Sequence, residues 1–205
     1  MLNLFFLIRL VNYCLFTISI FFYILAITTC ISNLSILSTI TLYFLTLSLF
    51  YYLSIILRKN VIEDGNELCD RCKIFHNSKA NYCLFCDRCY LKKDHHSPWL
   101  GKCIHNQNYK EFFGLIFFLD LSLFLLGFLQ NFIFLFVLSL VVLIYLSFIC
   151  YVWAHNMTTR EYILGEKGSP SAVTLYNVLF DGSLQNVFIL FLPFRRVYVN
   201  FSVEH

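Results

Sequence analysis

The chain has 205 residues, of which 59% are hydrophobic and only 13% are charged, with a formal net charge of +3 at pH 7. Soluble domains carry about 25% charged residues, so this composition excludes an ordinary soluble protein and favours a membrane protein. The length allows one or two domains. The small net charge says little about partners until the basic residues are placed relative to a membrane.

Four apolar segments are each long enough to cross a bilayer core of about 30 Å. They are residues 11–29, 34–57, 112–130 and 132–154. A cleaved signal peptide is disfavoured for the first segment because its apolar region is too long. Gln130 and Asn131 form a polar corner that predicts an antiparallel hairpin of the last two segments. Asp120 is costly inside a span, so we expect it to face Ser or Thr hydroxyls rather than to act in catalysis.

The placement of Lys and Arg predicts the orientation of the chain. Ten of the fifteen lie in residues 58–111, four lie in the tail after residue 154, and Arg9 precedes the first span. By the positive-inside rule, both termini and the 58–111 segment face the cytosol. Nucleic-acid binding is disfavoured because the basic residues are interleaved with acids beside a membrane. Anionic lipid headgroups are the expected contact.

A cluster of cysteines and histidines follows the second span, with six of the nine cysteines and four of the six histidines in less than a quarter of the chain. It contains one C-x-x-C pair and two overlapping ones, made by Cys69, Cys72, Cys83, Cys86 and Cys89. Such a cluster indicates metal ligands in a reducing compartment rather than a disulfide framework. Zinc prefers four tetrahedral Cys and His ligands, so two sites are expected. Because large apolar residues are few here, bound metal would supply much of the folding free energy.

These features predict an all-α polytopic membrane protein, with four transmembrane helices and a small zinc-binding cysteine-rich domain between helices 2 and 3. Residues 1–57 hold the first two helices, 58–111 form the cytosolic cysteine-rich domain, and 112–154 hold the other two. Residues 155–205 form a cytosolic tail. A transporter or channel is disfavoured because the spans hold no charge apart from Asp120 and show no internal repeat.

The order of motifs resembles the DHHC protein S-acyltransferases, also called palmitoyltransferases. The cysteine pairs are followed by Asp94-His95-His96-Ser97, then Pro98-Trp99, Cys103 and Asn108-Tyr109. After the fourth span, Thr158-Thr159-Arg160-Glu161 resembles the family's Thr-Thr-x-Glu motif, and residues 181–186 resemble its tail motif, with Asn186 four residues after Gly182. The resemblance covers nearly the whole chain. It implies the four-span layout with a cytosolic cysteine-rich domain.

The resemblance also implies two sets of zinc ligands. The first set, site A, is complete and consists of Cys83, Cys86, His96 and Cys103. The second set, site B, would take Cys69, Cys72, Cys89 and a histidine at position 82, where this chain has Tyr82. Tyrosine is a poor zinc ligand beside cysteines. His76 is the candidate replacement, and otherwise water fills the fourth place or the site is weak.

In the family, a cysteine thiolate takes the fatty acyl group from acyl-CoA and passes it to a cysteine of a client protein. The resemblance implies that His95 is the general base and that Asp94 orients it. The nucleophile position holds Ser97, whose hydroxyl is far less acidic than a thiol. An oxyester is also more stable than a thioester, so onward transfer from Ser97 would run uphill.

Three hypotheses follow from Ser97. In the first, the client thiol attacks acyl-CoA directly after His95 deprotonates it. In the second, the chain is a catalytically impaired or inactive relative that binds acyl-CoA or clients as a scaffold. In the third, Ser97 is an engineered change or a sequence error. Lys102 and His105 stand where the family usually has Asn and Gly, which together with Tyr82 indicates natural drift.

The expected function is therefore protein S-acylation, with zinc as cofactor and palmitoyl-CoA as co-substrate. No residue is assigned to CoA, although nearby Lys and Arg suit its phosphates. The expected partners are membrane-associated client proteins and the bilayer, with an accessory subunit left open and no nucleic acid. The expected location is an endomembrane, the endoplasmic reticulum or the Golgi. Residues 187–194 are expected to lie along the interface as an anchor.

Overall fold

The structure is a computed structural model that describes residues 2–32, 35–58, 67–71, 75–76 and 80–168. Its long helices are α1 (Leu2–Ser32), α2 (Ile36–Leu57), α3 (Tyr109–Gln130) and α4 (Ile133–Ala154), followed by the short α5 (Thr159–Ile163). Among the described residues between α2 and α3 there are six short strands: β1 (Glu67–Leu68), β2 (Phe75–His76), β3 (Ala80–Cys83), β4 (Arg88–Leu91), β5 (His95–Ser97) and β6 (Lys102–Ile104). They pair as three antiparallel hairpins, β1–β2, β3–β4 and β5–β6.

All four long helices contain a stretch that is long and apolar enough to cross a membrane. The first such stretch runs over Leu10–Ser32, a little beyond the predicted residues 11–29, and the third begins at Tyr109 rather than at residue 112. The predicted fold class is confirmed, with the Cys/His cluster between α2 and α3. The division of the chain into four parts stays a prediction. The tail motif with Asn186 and the expected anchor at residues 187–194 lie outside the described residues.

Helices α2 and α3 form the centre of the bundle. Tyr51 of α2 stacks on Phe118 of α3, with ring centroids 6.0 Å apart and planes 8° apart. The absence of a side chain at Gly114 permits this approach, since a Cβ there would lie 2.8 Å from the Tyr51 ring. Both aromatic residues belong to the main buried core. Helices α1 and α4 bury less of their surface and present large apolar side chains outward, as expected for helices that face lipid.

A tight turn joins α3 to α4. Asn131 adopts a left-handed conformation with φ of 49°, and the amide of Phe132 donates to the carbonyl of Gly127 at 3.2 Å. Asn tolerates this conformation better than most residues, which explains why the helix ends at the polar corner. Between the two helices, the buried Ser139 hydroxyl donates to Asp120 Oδ1 at 2.7 Å. The expectation that Asp120 faces a hydroxyl is confirmed.

Two charged contacts fix the cysteine-rich domain to the membrane helices. The Lys102 ammonium on β6 donates to the backbone carbonyls of Ile55, Ile56 and Arg58, at 3.3 Å for Ile55 and 2.9 Å for Arg58. These carbonyls lie at the C-terminus of α2, where helix carbonyls lack internal partners and a cation is favourable. Arg58 Nη2 in turn lies 2.6 Å from Glu111 Oε1 at the start of α3. Strand β6 is thus tied to the end of α2, and the end of α2 is tied to the start of α3.

Candidate metal centre and active site

The β5–β6 hairpin separates the residues of the Asp-His-His-Ser motif onto two faces. Its register pairs His95 with Ile104, His96 with Cys103, and Ser97 with Lys102. Successive side chains of a strand point to opposite faces. His96 therefore shares a face with Cys103, its cross-strand partner, while His95 and Ser97 share the other face. Strand geometry alone separates the metal-ligand position from the two candidate catalytic positions.

The four residues of site A lie together in the structure. Their ligand atoms, from Cys83, Cys86, His96 and Cys103, all lie within 4.8 Å of one another. The Cys86 and Cys103 sulfurs are 3.6 Å apart. His96 Nδ1 lies 3.3 Å from Cys86 Sγ and 3.8 Å from each of the other two sulfurs. A tetrahedral zinc with Zn–S bonds of about 2.3 Å would separate its sulfurs by about 3.8 Å, so this donor set fits zinc.

The electrostatics of site A follow from the crowding of these groups. Burial lowers the pKa of His96, but hydrogen bonds with the Cys83 and Cys86 thiols outweigh it and raise the pKa to about 9. Hydrogen bonds from Cys103 and Cys86 lower the pKa of the Cys83 thiol. The cluster therefore favours a thiolate paired with an imidazolium. A divalent cation that binds here takes the place of the protons on these groups, which are released.

The β3–β4 hairpin supplies ligands to both predicted sites. Cys83 ends β3, and Cys86 lies in the turn, where Asp87 has a φ of 53°. The register pairs Cys83 with Arg88 and Tyr82 with Cys89. Cys83 and Cys89 therefore lie on opposite faces of the hairpin by strand alternation. One hairpin thus contributes to site A from one face and to site B from the other.

Only part of predicted site B lies within the described residues. Cys69 and Cys89 approach to 3.4 Å between their sulfurs. Cys72 lies outside the described residues, as does the side chain of His76, whose backbone in β2 pairs with Glu67. The Tyr82 hydroxyl donates to Asp87 Oδ1 at 2.7 Å. That hydrogen bond raises the pKa of Tyr82 to about 12, which disfavours the phenolate that a metal would need.

Asp94 and His95 form the candidate base. The Asp94 side chain is buried, and its Oδ2 lies 2.7 Å from His95 Nδ1. Because an ionised carboxylate only accepts hydrogen bonds, His95 Nδ1 carries the proton and Nε2 keeps a free lone pair. His95 remains 29% exposed at its side chain. The Phe112 ring meets the imidazole edge-on at 5.5 Å, which restricts its rotation.

The Thr-Thr-x-Glu segment divides into two roles. Thr158 is the N-cap of α5 and forms a capping box with Glu161, whose Oε2 accepts from the Thr158 amide at 2.7 Å. Thr159 instead contacts the site. Its hydroxyl donates to Asp94 Oδ2 at 2.8 Å, and its amide donates to Asp94 Oδ1. A direct pair of hydrogen bonds therefore links this segment to Asp94.

Ser97 is buried at the end of β5, with 7% of its surface exposed. The next residue but one, Trp99, is 52% exposed and lies in the turn that leads to β6. Ser97 also lies on the same strand face as His95. This arrangement fits a nucleophile position whose side chain is shielded from bulk water.

Two supporting residues were not singled out as such from the sequence. Asn108 is buried and bridges the loop before α3, since its Oδ1 accepts from the His105 amide at 2.8 Å and its Nδ2 donates to the Cys103 carbonyl at 2.9 Å. The sequence shows Lys102 only as a departure from the family, because its role as a helix cap depends on the position of α2. Burial lowers the pKa of Lys102. The spacing of Asn108 after Cys103 was the only available signal.

Comparison with known proteins identifies the segment that contains both sites. Residues 62–137 match the family described as DHHC palmitoyltransferase. The chain is 42% identical to human palmitoyltransferase ZDHHC14 over 89 residues, which cover 42% of this chain and 17% of that protein. It is 44% identical to zebrafish (Danio rerio) palmitoyltransferase ZDHHC14 over 75 residues, covering 37% and 13%. It is 46% identical to human palmitoyltransferase ZDHHC9 over 55 residues, covering 27% and 15%. The chain thus spans less than a fifth of the length of these relatives.

Proposed function

We propose that this protein moves a fatty acyl group from acyl-CoA to cysteines of client proteins at the cytosolic face of a membrane. The match of residues 62–137 to the DHHC palmitoyltransferase family supports this proposal. The observation that carries the proposal is the buried Asp94 carboxylate, which lies 2.7 Å from His95 Nδ1 and accepts a hydrogen bond from the Thr159 hydroxyl. This arrangement supports His95 as a general base. It sits where the membrane helices meet the cysteine-rich domain.

The Asp94–His95 pair would act through the free Nε2 of the imidazole. Asp94 fixes the tautomer and stabilises the imidazolium that forms when Nε2 takes a proton. Three donors, from His95 and from the amide and hydroxyl of Thr159, hold the Asp94 carboxylate in place. The contacts therefore prepare His95 for proton transfer before any substrate binds.

In the route that we favour, the acyl group passes directly from CoA to the client. His95 Nε2 takes the proton of the client thiol, and the thiolate attacks the thioester carbonyl of acyl-CoA. The bond from that carbonyl to the CoA sulfur breaks, and the leaving thiolate takes the proton back from the imidazolium. One thioester replaces another, so this route has no uphill step and needs no nucleophile from the enzyme.

A route through Ser97 is less favourable. Ser97 shares a strand face with His95, so its hydroxyl is a candidate nucleophile toward acyl-CoA. The resulting oxyester is more stable than the thioester it came from. Transfer from Ser97 onward to a client thiol therefore runs uphill. This route predicts an ester that accumulates on the protein.

The second candidate function is a binding protein without transferase activity. Ser97 at the nucleophile position is the observation that favours it. Such a relative would bind acyl-CoA or client proteins between its helices and its cysteine-rich domain. It would keep the metal centre, because that centre holds the fold.

Zinc at site A, when bound, supplies structural crosslinks rather than chemistry, because all four ligands come from the protein. Cys83, Cys86, His96 and Cys103 would hold it. Zinc at site A would also fix the position of the candidate catalytic residues. His96 and Cys103 are cross-strand partners in the hairpin that carries His95 and Ser97, so fixing them fixes the candidate catalytic face.

The proposal includes an orientation and a location. Both termini and the cysteine-rich domain would face the cytosol of an endomembrane, the endoplasmic reticulum or the Golgi. The support is the concentration of Lys and Arg in residues 58–111 and in the tail. Palmitoyl-CoA, membrane-associated client proteins and bilayer lipids would be the partners.

The test is an acyl-transfer assay with the purified full chain in detergent, labelled palmitoyl-CoA and a peptide that bears one cysteine. We expect transfer that is lost in His95→Ala and retained in Ser97→Ala. Loss in both variants would favour the serine ester. No transfer by the natural chain, with labelled palmitoyl-CoA still bound to it, would favour the binding protein. Lys167→Met is the matched control, because Lys167 is exposed and lies past the end of α5.

A further inference from the structure

The short helix α5 ends in a group of large apolar residues that face outward. Tyr162 and Ile163 are its last two residues, and Leu164 follows directly. In the described part of the chain, Ile163 is 74% exposed and Leu164 is 59% exposed. The candidate active site uses only the beginning of this helix, at Thr159. We call Tyr162, Ile163 and Leu164 the α5 apolar end.

The α5 apolar end packs against the outer surface of α4. The Tyr162 ring meets the Phe148 ring edge-on at 5.4 Å and the Tyr151 ring edge-on at 6.2 Å. Phe148 lies six residues before Ala154, where the fourth span ends, and six residues extend about 9 Å along a helix axis. Helix α5 therefore folds back beside the end of the span.

The same surface of α4 continues into the membrane as an apolar stripe. Its members recur with Phe148 at helical spacing, and all of them are exposed: Val137, Leu140, Ile144 and Tyr151. In a helix that is apolar enough to cross a membrane, such an exposed stripe faces lipid. The α5 apolar end is therefore continuous with the lipid-facing surface of α4.

Polar contacts fix the beginning of α5 to the cysteine-rich domain. Thr159 donates to the Asp94 carboxylate through its amide and its hydroxyl. Arg160 Nη1 donates to Asn81 Oδ1 at 2.6 Å. A helix of five residues has little stability of its own, because the first turn is costly to form. The contacts at its two ends therefore hold α5 in place.

We propose that the α5 apolar end is inserted into the boundary between headgroups and acyl chains of the adjacent bilayer leaflet, so that phospholipid holds the helix that supports Asp94. Tyrosine is typical of this level of a membrane, and exposed apolar side chains gain free energy from burial there. The chain turns at Gly165, whose φ is 74°, and the charged Glu166 and Lys167 that follow are exposed. The inference does not depend on acyl transfer.

Quenching of tryptophan fluorescence by brominated lipid tests the position of the α5 apolar end. The full chain is placed in vesicles of phosphatidylcholine brominated near the top of its acyl chains. Ile163→Trp is compared with Lys167→Trp, a matched control that also adds one tryptophan to the two of the natural chain. We expect the lipid to quench the added emission of Ile163→Trp and to leave that of Lys167→Trp.

Two results of this experiment would overturn the proposal. The first is equal quenching of the two variants by the brominated lipid. The second is an added emission in Ile163→Trp that neither bromine nor aqueous iodide quenches, because a protein surface would then cover this end of the helix.

Hydrogen exchange in the same vesicles tests whether lipid holds the helix. The Tyr162 amide donates to the Thr158 carbonyl at 3.0 Å. The Leu164 amide donates to the Arg160 carbonyl at 3.0 Å. Ile163→Ser should raise the exchange rate of these amides about tenfold, because apolar burial is lost, whereas Ile163→Leu should leave it unchanged. Both variants should keep the zinc content of the natural chain. Equal exchange in Ile163→Ser and the natural chain would contradict the proposal.

Discussion

The Thr159 hydroxyl donates a 2.8 Å hydrogen bond to the Asp94 carboxylate across 65 residues of sequence. The contact joins the segment after the fourth membrane helix to the acid that orients His95. Since Thr158 and Glu161 form the capping box that starts α5, the position of Thr159 is set by the helix itself. The Thr-Thr-x-Glu segment is therefore part of the support of the proposed active site.

Replacing Thr159 tests this support. Thr159→Val keeps the shape but removes the hydroxyl, and hydrogen bonds to charged groups contribute about 1.5–3 kcal/mol. We expect acyl transfer to fall about 10- to 100-fold, since about 1.4 kcal/mol in the barrier is a tenfold change in rate. Thr159→Ser keeps the hydroxyl and should retain most of the activity. Equal activity in Thr159→Val and the natural chain would show that the contact has no role in catalysis.

Loss of a site A ligand should unfold the cysteine-rich domain. Cys103→Ser removes one of four ligands, and metal binding at such sites is itself folding free energy. We expect about one equivalent of zinc to be lost and the domain to become sensitive to protease. Cys14→Ser is the matched control, because Cys14 is exposed on α1. Full zinc content and unchanged protease resistance in Cys103→Ser would contradict the assigned ligand set.

Lys102 offers a test of how the cysteine-rich domain is fixed to the membrane helices. Lys102→Met keeps the length of the side chain but removes the cation that caps the C-terminus of α2. We expect the free energy of unfolding to fall by about 1–3 kcal/mol, because carbonyls lose a charged donor in a half-buried place. Hydrogen exchange at the end of α2 should rise. If Lys167→Met, at an exposed site, has the same effect, the cap is unimportant.

The Asp120–Ser139 pair should make a modest contribution inside the membrane. Hydrogen bonds between membrane helices average about 0.6 kcal/mol, with a maximum near 1.7 kcal/mol. A double-mutant cycle with Asp120→Asn and Ser139→Ala, followed by thermal unfolding in detergent, should give a coupling in this range. Acyl transfer should persist in both single variants. Its complete loss in Asp120→Asn, with the fold intact, would instead place Asp120 in the chemistry.

The sequence predicts the fold class and the composition of site A well, for physical reasons. Hydrophobic length determines which segments can cross a membrane, and the Cys-x-x-Cys spacing brings two ligands to one metal. The split of His95 and His96 onto opposite faces also follows from strand alternation once β5 is known. Local pattern was enough for the spans and for the cysteine pairs, whereas the choice of Cys83, Cys86, His96 and Cys103 as one set came from the family resemblance.

Other features depend on contacts between distant parts of the chain. The Asp94–Thr159 hydrogen bonds and the Lys102 cap on α2 join residues more than 40 positions apart, so no local pattern encodes them. The contact between Arg71 and Tyr82 is hidden from sequence reasoning for a different reason. The sequence identifies Tyr82 as a poor zinc ligand, but only the fold brings Arg71 over its ring.

The most direct test of the central claim is acylation of the Ser97→Cys variant, measured by intact mass with palmitoyl-CoA before and after neutral hydroxylamine. If the site is an intact acyl-transfer site that lacks only the thiol, this variant should gain one acyl group that hydroxylamine removes. Adding His95→Ala to the same chain should abolish the gain. Failure of zinc-loaded Ser97→Cys to acquire any acyl group, together with no transfer to a client cysteine by the natural chain, would contradict the account and leave a binding protein as the function.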